Sequence, residues 1–242
     1  MSHSEAISVL DATPVSSDRL VMIGVLASQT TVFLGLKNKW PNRYPNPSDI
    51  ASIFPNHHLA LNLIHYNTKE SDTLLKQMLE VTELSGSNFQ GFQLNVAWPS
   101  PLVLEGYRRE FGNMKIVLQV GGYAFKKIGN SPVNLARKVV GEYHGLVDHL
   151  LLDPSGGFGK PFNTELAREY LDELRGQGAE NFLGLGVAGG LSPTTLNLVE
   201  PLVQDYPELS IDAEGLLRDE NDRIDQSIAK EYVSKAFHIF ND

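Results

Sequence analysis

The sequence predicts an α/β protein of the (β/α)8 TIM-barrel class. Short β-type runs alternate with amphipathic helical patterns along the chain, the arrangement that builds a parallel sheet. Eight such units can be counted, enough to close a barrel. The 242 residues suit one such barrel with a full core. An open, doubly wound sheet is the competing arrangement.

The units are expected as follows. Ala6-Ile7-Ser8-Val9-Leu10-Asp11 reads as strand one. Ser16 or Ser17 is placed to cap a helix through about Ser28, with Leu20, Ile23, Val25 and Leu26 apolar. Strand two is Thr31-Val32-Phe33-Leu34-Gly35-Leu36, followed by a Pro- and Asn-rich loop over 37–46 and a short helix over 47–54. Strand three covers 58–65 and its helix 69–84. Strands four to eight are expected at 89–95, 115–120, 147–153, 182–187 and 209–212. The intervening helices are expected at 101–111, 132–143, 163–175 and 193–204, with a last one over about 225–240. No linker divides the chain, so one domain over 1–242 is expected, with 1–5 as a flexible tail.

Composition narrows the function. The net charge is −9, which disfavours a nucleic-acid partner, because phosphate backbones require a basic surface. The longest apolar run, Leu20 to Leu26, is too short to cross a bilayer, so no membrane association is expected. With no cysteine there is no disulfide, thiolate metal site or cysteine nucleophile. The polar start, Met1 to Glu5, lacks a secretory leader pattern, and a cytoplasmic location is expected.

Polar residues at the C-terminal ends of barrel strands are candidates for catalysis. Asp11 and Asp153 end strands one and six, each two residues beyond an apolar residue expected to face inward (Val9, Leu151). An acid and a base working across a substrate would use such a pair, although a strand-end Asp can equally cap the next helix. Ser155-Gly156-Gly157-Phe158-Gly159-Lys160 either lets backbone N–H groups approach a ligand beside a cation or is simply a turn. Ala188-Gly189-Gly190-Leu191-Ser192-Pro193 precedes an expected helix and lies at a usual phosphate seat of barrels. Gly215 supplies a second turn after strand eight. His65 and Gln119 end strands three and five. Asp219-Glu220-Asn221-Asp222 lacks the Gly and closing Glu of an EF-hand and reads as a solvated turn. No metal site is expected.

The segment LLLDPSGGFGKPF (150–162) resembles the signature of phosphoribosylanthranilate isomerases, in which an Asp closes strand six before a GGxGKxF loop. VAGGLSP (187–193) is similar to that family's AGGLxP phosphate loop, FQLN (92–95) to its VQLH, and KWPNRY (39–44) to its SxRY loop. The resemblance spans about residues 31–217. It implies Asp153 as general acid and Asp11 as the base in place of the family's cysteine. It implies Arg43, Asn95 and Lys160 as substrate-binding residues, with Arg43 on an aromatic carboxylate, and Gln119 joins them from its place at the end of strand five. Gly157, Gly189, Gly190 and Gly215 would hold phosphate. The family's SSG-type turn after strand eight is replaced by Ala213-Glu214-Gly215, and Glu214 is expected to point outward, leaving the seat to an anion.

The implied activity is an Amadori aldose–ketose isomerisation of a phosphoribosylamine-type substrate in tryptophan biosynthesis, by acid–base catalysis without a cofactor. The partner would be a small phosphosugar-type molecule, and the protein a monomer or homodimer. Two other readings stay open. One is a barrel that binds a phosphate or sugar ligand without turnover. The other is a different phosphosugar epimerase or lyase, since fold does not dictate chemistry.

Overall fold

The computed structural model describes residues 1–14, 18–154 and 161–241. Seven strands form one parallel sheet in sequence order: β1 (Val21–Ser28), β2 (Ala60–Asn67), β3 (Gly91–Leu94), β4 (Lys115–Gly121), β5 (His149–Asp153), β6 (Gly184–Ala188) and β7 (Ser210–Asp212). The longer helices are α1 (His3–Leu10), α2 (Leu74–Leu84), α3 (Pro101–Glu110), α4 (Pro132–Glu142), α5 (Thr164–Gly176) and α6 (Gln226–Asn241).

Alternation along each strand sorts its side chains between two apolar clusters. The larger lies between sheet and helices and takes Ile23, Val25, Ile64, Phe92, Ile116, Leu118, Leu150, Leu152 and Val187. The smaller lines the opposite, concave face and takes Leu63, Val117, Leu151 and Ala188, with Met22 and Leu61 against it. By the same period of two, Gln93, Gln119, Asp153 and Asp212 belong to the concave face.

The barrel class holds in part. Among the described residues there are seven strands rather than eight, and β1 and β7 are not paired. The difference lies in the N-terminal third. Residues 6–11, expected as strand one, fall in α1 and its C-cap. Ser2 accepts a hydrogen bond from the Glu5 backbone at 3.3 Å while the Glu5 side chain accepts from the Ser2 N–H. This reciprocal cap starts a helix that buries Ala6, Val9 and Leu10. Residues 3–5, expected in a flexible tail, form its first turn.

The segment expected as a helix through Ser28 contains β1. Its β-branched Val21, Ile23 and Val25 alternate, and burial follows that alternation. Ser28 and Thr31 then make a second reciprocal cap, so Gln29–Val32 is a short helix where strand two was expected. The helix expected over 193–204 is a turn followed by two short helical pieces, Leu196–Leu198 and Glu200–Val203.

Side chains bridge the space between β1 and β7. Helices α1 and α6 pack against each other there. Arg19, just before β1, reaches the start of β7: its Nη1 donates to the Leu209 carbonyl at 3.1 Å and its Nη2 to the Pro207 carbonyl. The Phe240 ring of α6 lies 4.1 Å from the guanidinium carbon.

This junction is testable. Arg19→Met keeps most of the apolar stem but removes both charged donors. It is expected to cost about 2 kcal/mol and to lower Tm by about 4–8 °C. An unchanged Tm by differential scanning calorimetry would show that the β1–β7 junction does not depend on Arg19.

Candidate active site

The C-terminal ends of the strands gather polar side chains where the inner aliphatic layer stops. Gln119 and Asp153 lie two residues beyond Val117 and Leu151, which belong to that layer. Both are buried, as is Gln93. Burial obliges these groups to find partners, and they find one another. The Gln119 amide donates to Asp153 Oδ2 at 3.0 Å. Gln93 donates to Gln119 Oε1 at 3.1 Å. Gln93 also stands beside Asp212 at the end of β7 and favours its charged form. Two carboxyl groups on β5 and β7 are thus joined by two amides from β4 and β3.

Asp212 is the perturbed member. Burial raises its pKa to about 6; the charges of Glu214 and Asp153 push in the same direction, while His65 and the Gln93 hydrogen bond oppose. It therefore holds a proton into a range where an ordinary Asp carboxyl has lost it.

A second charged layer lies above. Glu214 accepts from Arg43 Nη1 at 3.1 Å and from Arg218 Nη2 at 3.2 Å, and its other oxygen stands 4.0 Å from His65 Nδ1. Arg43 also pairs with Asp222, Nη2 to Oδ1 at 2.7 Å. That contact raises the pKa of Arg43 and lowers that of Asp222. The turn expected to be merely solvated thus supplies Asp222 as an anchor for the loop carrying Arg43.

The expected site residues separate into three groups. Asp153 and Gln119 meet at the mouth. Asn95 follows β3 there: its N–H donates to the Tyr66 carbonyl at 2.9 Å, and its Oδ1 lies 3.7 Å from where a Cβ on Gly121 would be. Arg43 reaches the mouth too, but its guanidinium is occupied by Glu214 and Asp222. Gly189 and Gly190 take positive φ angles of 118° and 63°, and Gly215 opens a short helical turn. The turn after Gly190 is fastened by Thr195, whose hydroxyl donates to the Gly190 carbonyl at 2.9 Å, so no long helix points its N-terminus at this loop.

Asp11 belongs to the second group. It is exposed and caps the C-terminus of α1, away from any strand end, which removes it as the base. Glu214 likewise corrects an expectation, being drawn inward by two guanidinium groups instead of pointing out to water. Gly157 and Lys160 form the third group and lie outside the described residues.

Sequence reasoning passed over Gln93 and gave Asp212 no role. The signal for Asp212 was the one used for Asp153, a lone carboxylate closing an apolar strand. For Gln93 it was an amide between Phe92 and Leu94 in a buried strand. Among the described residues, no group of three His, Asp or Glu side chains is gathered to hold a metal ion. None of the described helices is long and apolar enough to cross a membrane.

Comparison of the whole chain with known proteins gives structural likeness only. No protein-family model matches the sequence, and no curated protein sequence matches it. Phosphoribosyl anthranilate isomerase from Thermus thermophilus superposes with a TM-score of 0.63 at 14% identity, covering 98% of this chain and 94% of that one. The chain has the fold of the phosphoribosyl anthranilate isomerases. A structure of such an isomerase in complex with reduced 1-(O-carboxyphenylamino)-1-deoxyribulose 5-phosphate gives 0.59 at 15% identity, over 97% and 94% of the two chains. The catalytic domain of a chitinase from Pyrococcus furiosus gives 0.57 at 10%, over 97% and 91%. Isomerases and a chitinase share this fold, so the chemistry must be argued from the side chains.

The charged layer makes a prediction. Glu214→Gln removes the anion that occupies Arg43 and Arg218, and two guanidinium groups then face the mouth. Affinity for inorganic phosphate, measured by calorimetry at low salt, should rise about tenfold. Unchanged affinity would mean that these arginines do not face an anion site.

Proposed function

We propose that the mouth is an acid–base site for aldose–ketose isomerisation of a phosphoribosylamine-type substrate. The observation that carries this reading is the pair Asp153 and Asp212, joined through Gln119 and Gln93 at the C-terminal ends of the strands. Support also comes from the likeness to isomerase structures and from the Asp153 and Gly189-Gly190 segments of the sequence.

This reading gives the two carboxyl groups roles different from those of the family resemblance. Asp212 retains a proton and is the donor. Asp153, whose Oδ2 accepts from Gln119, is the acceptor in this reading. Asp212 protonates the furanose ring oxygen as the C1–O bond breaks, and the nitrogen lone pair forms the C1=N iminium. Asp153 then removes the C2 proton, giving the enolamine. Return of a proton to C1 and loss of the enol proton complete the ketose. Hydrogen moves from C2 to C1 within one molecule, so no external oxidant or reductant is consumed. The phosphate end belongs at the turns of Gly189, Gly190 and Gly215, with Asn95 and Gln119 toward the sugar.

A second reading is favoured by one observation. Arg43 and Arg218 are both engaged with acidic side chains, as they would be in a mouth that binds an uncharged sugar-like ligand without turnover. In that case a ligand raises Tm while no product forms.

Assay of phosphoribosyl anthranilate turnover separates the two. Asp153→Asn and Asp212→Asn should each lower kcat by about 10² or more while leaving the fold intact. In the wild type, kcat/KM should fall as pH rises through about 6, because the donor loses its proton. Asp212→Asn should abolish that limb. A wild-type protein that binds the substrate without converting it would establish the binding reading.

A further inference from the structure

We propose that the seam between β1 and β7 is a binding site for a small uncharged molecule with an apolar ring body and one hydrogen-bond-accepting oxygen. No strand fills this part of the wall among the described residues. A cavity of about 290 Å³ extends here from the inner face of the sheet to the underside of α6. Its walls are mainly aliphatic and aromatic, among them Leu63, Leu151, Leu209, Val233, Phe237 and Phe240. At the ~30 Å³ that one water takes in the liquid, it has room for on the order of ten non-hydrogen atoms.

Two buried polar atoms specify more than a void. Tyr232 of α6 is 7% exposed and lines the cavity, and among the described residues its Oη has no hydrogen-bond partner. The Arg218 side chain, 6% exposed, also lines it, and its Nε has none either. Buried polar groups are nearly always satisfied, so two orphans on side chains that line one cavity point to a missing partner. Both are donors. Burial and the nearby Asp212 keep the Tyr232 hydroxyl protonated, its pKa raised well above the ordinary value. The fitting partner is therefore an acceptor oxygen, a ketone or alcohol. Asp212 and Glu214 at the upper end disfavour an anion. Such binding requires no isomerase chemistry.

The test titrates the full chain with 1-indanone and with indane, matched bicyclic probes that differ in the carbonyl oxygen. Calorimetry should give saturable binding of both, with the ketone about fivefold tighter. Tyr232→Phe should bring that advantage down to about twofold. Ala236→Trp, which fills the cavity from α6, should weaken both at least tenfold. In the wild type, NMR should show intermolecular contacts from indanone to the methyl groups of Leu63 and Val233, a readout independent of how the variants fold. The proposal is overturned by absence of saturable indanone binding, by contacts only to residues outside the seam, or by equal affinities for ketone and hydrocarbon in the wild type.

Discussion

A parallel sheet of seven strands has two edges, and each edge presents backbone donors and acceptors that need partners or cover. Here β1 and β7 face each other without pairing, and α1, α6 and Arg19 stand in for the missing ladder. Much else depends on that substitution. The N-terminal segment must be a helix, because its apolar face covers the seam. Arg19 must be long enough to reach two carbonyls of the opposite edge. The interior remains partly open on this side, so the seam cavity communicates with the residues at the mouth.

The mouth is organised by charge in two layers. The upper layer is balanced, with Arg43 and Arg218 set against Glu214 and Asp222. The lower layer holds Asp153, which accepts from the Gln119 amide, and Asp212, whose raised pKa is opposed by His65 and Gln93. Two nearby carboxylates in a poorly hydrated site favour keeping one proton between them. Gln93 and Gln119 connect the two: Gln119 accepts from Gln93 and donates to Asp153, while Gln93 acts as a donor toward Asp212 as well. This layering also explains how a glutamate is tolerated beside the glycine turns, since its charge is neutralised from Arg43 and Arg218.

From β2 onward the strands were legible in the sequence, because each is a short apolar run bounded by polar or glycine-rich turns. The first third was misread for identifiable reasons. Leu20, Ile23 and Leu26 satisfy helical spacing, while Val21, Ile23 and Val25 satisfy a strand's period of two; the β-branched residues decided it. Ala6 to Leu10 has strand-like composition, but the Ser2 and Glu5 cap starts a helix. The misplaced Asp11 followed directly from that error. Asp153 was legible because the same alternation that buries Leu151 turns Asp153 to the concave face. The link from Asp153 to Asp212 was not, since it runs between β5, β4, β3 and β7 and exists only once the sheet curls. The inward draw on Glu214 depends on Arg43, 171 residues away in sequence, and no local pattern reports such a pairing.

Asp212 holds a proton at the mouth, retained by burial and by the charges of Glu214 and Asp153. Carbon-13 NMR titration of the Asp212 carboxyl carbon, in the wild type and in Asp153→Asn, measures this directly. The wild-type midpoint should lie near pH 6, and removing the Asp153 charge should shift it downward. A midpoint near 4 in both proteins, in the ordinary range for an aspartate, would contradict the claim.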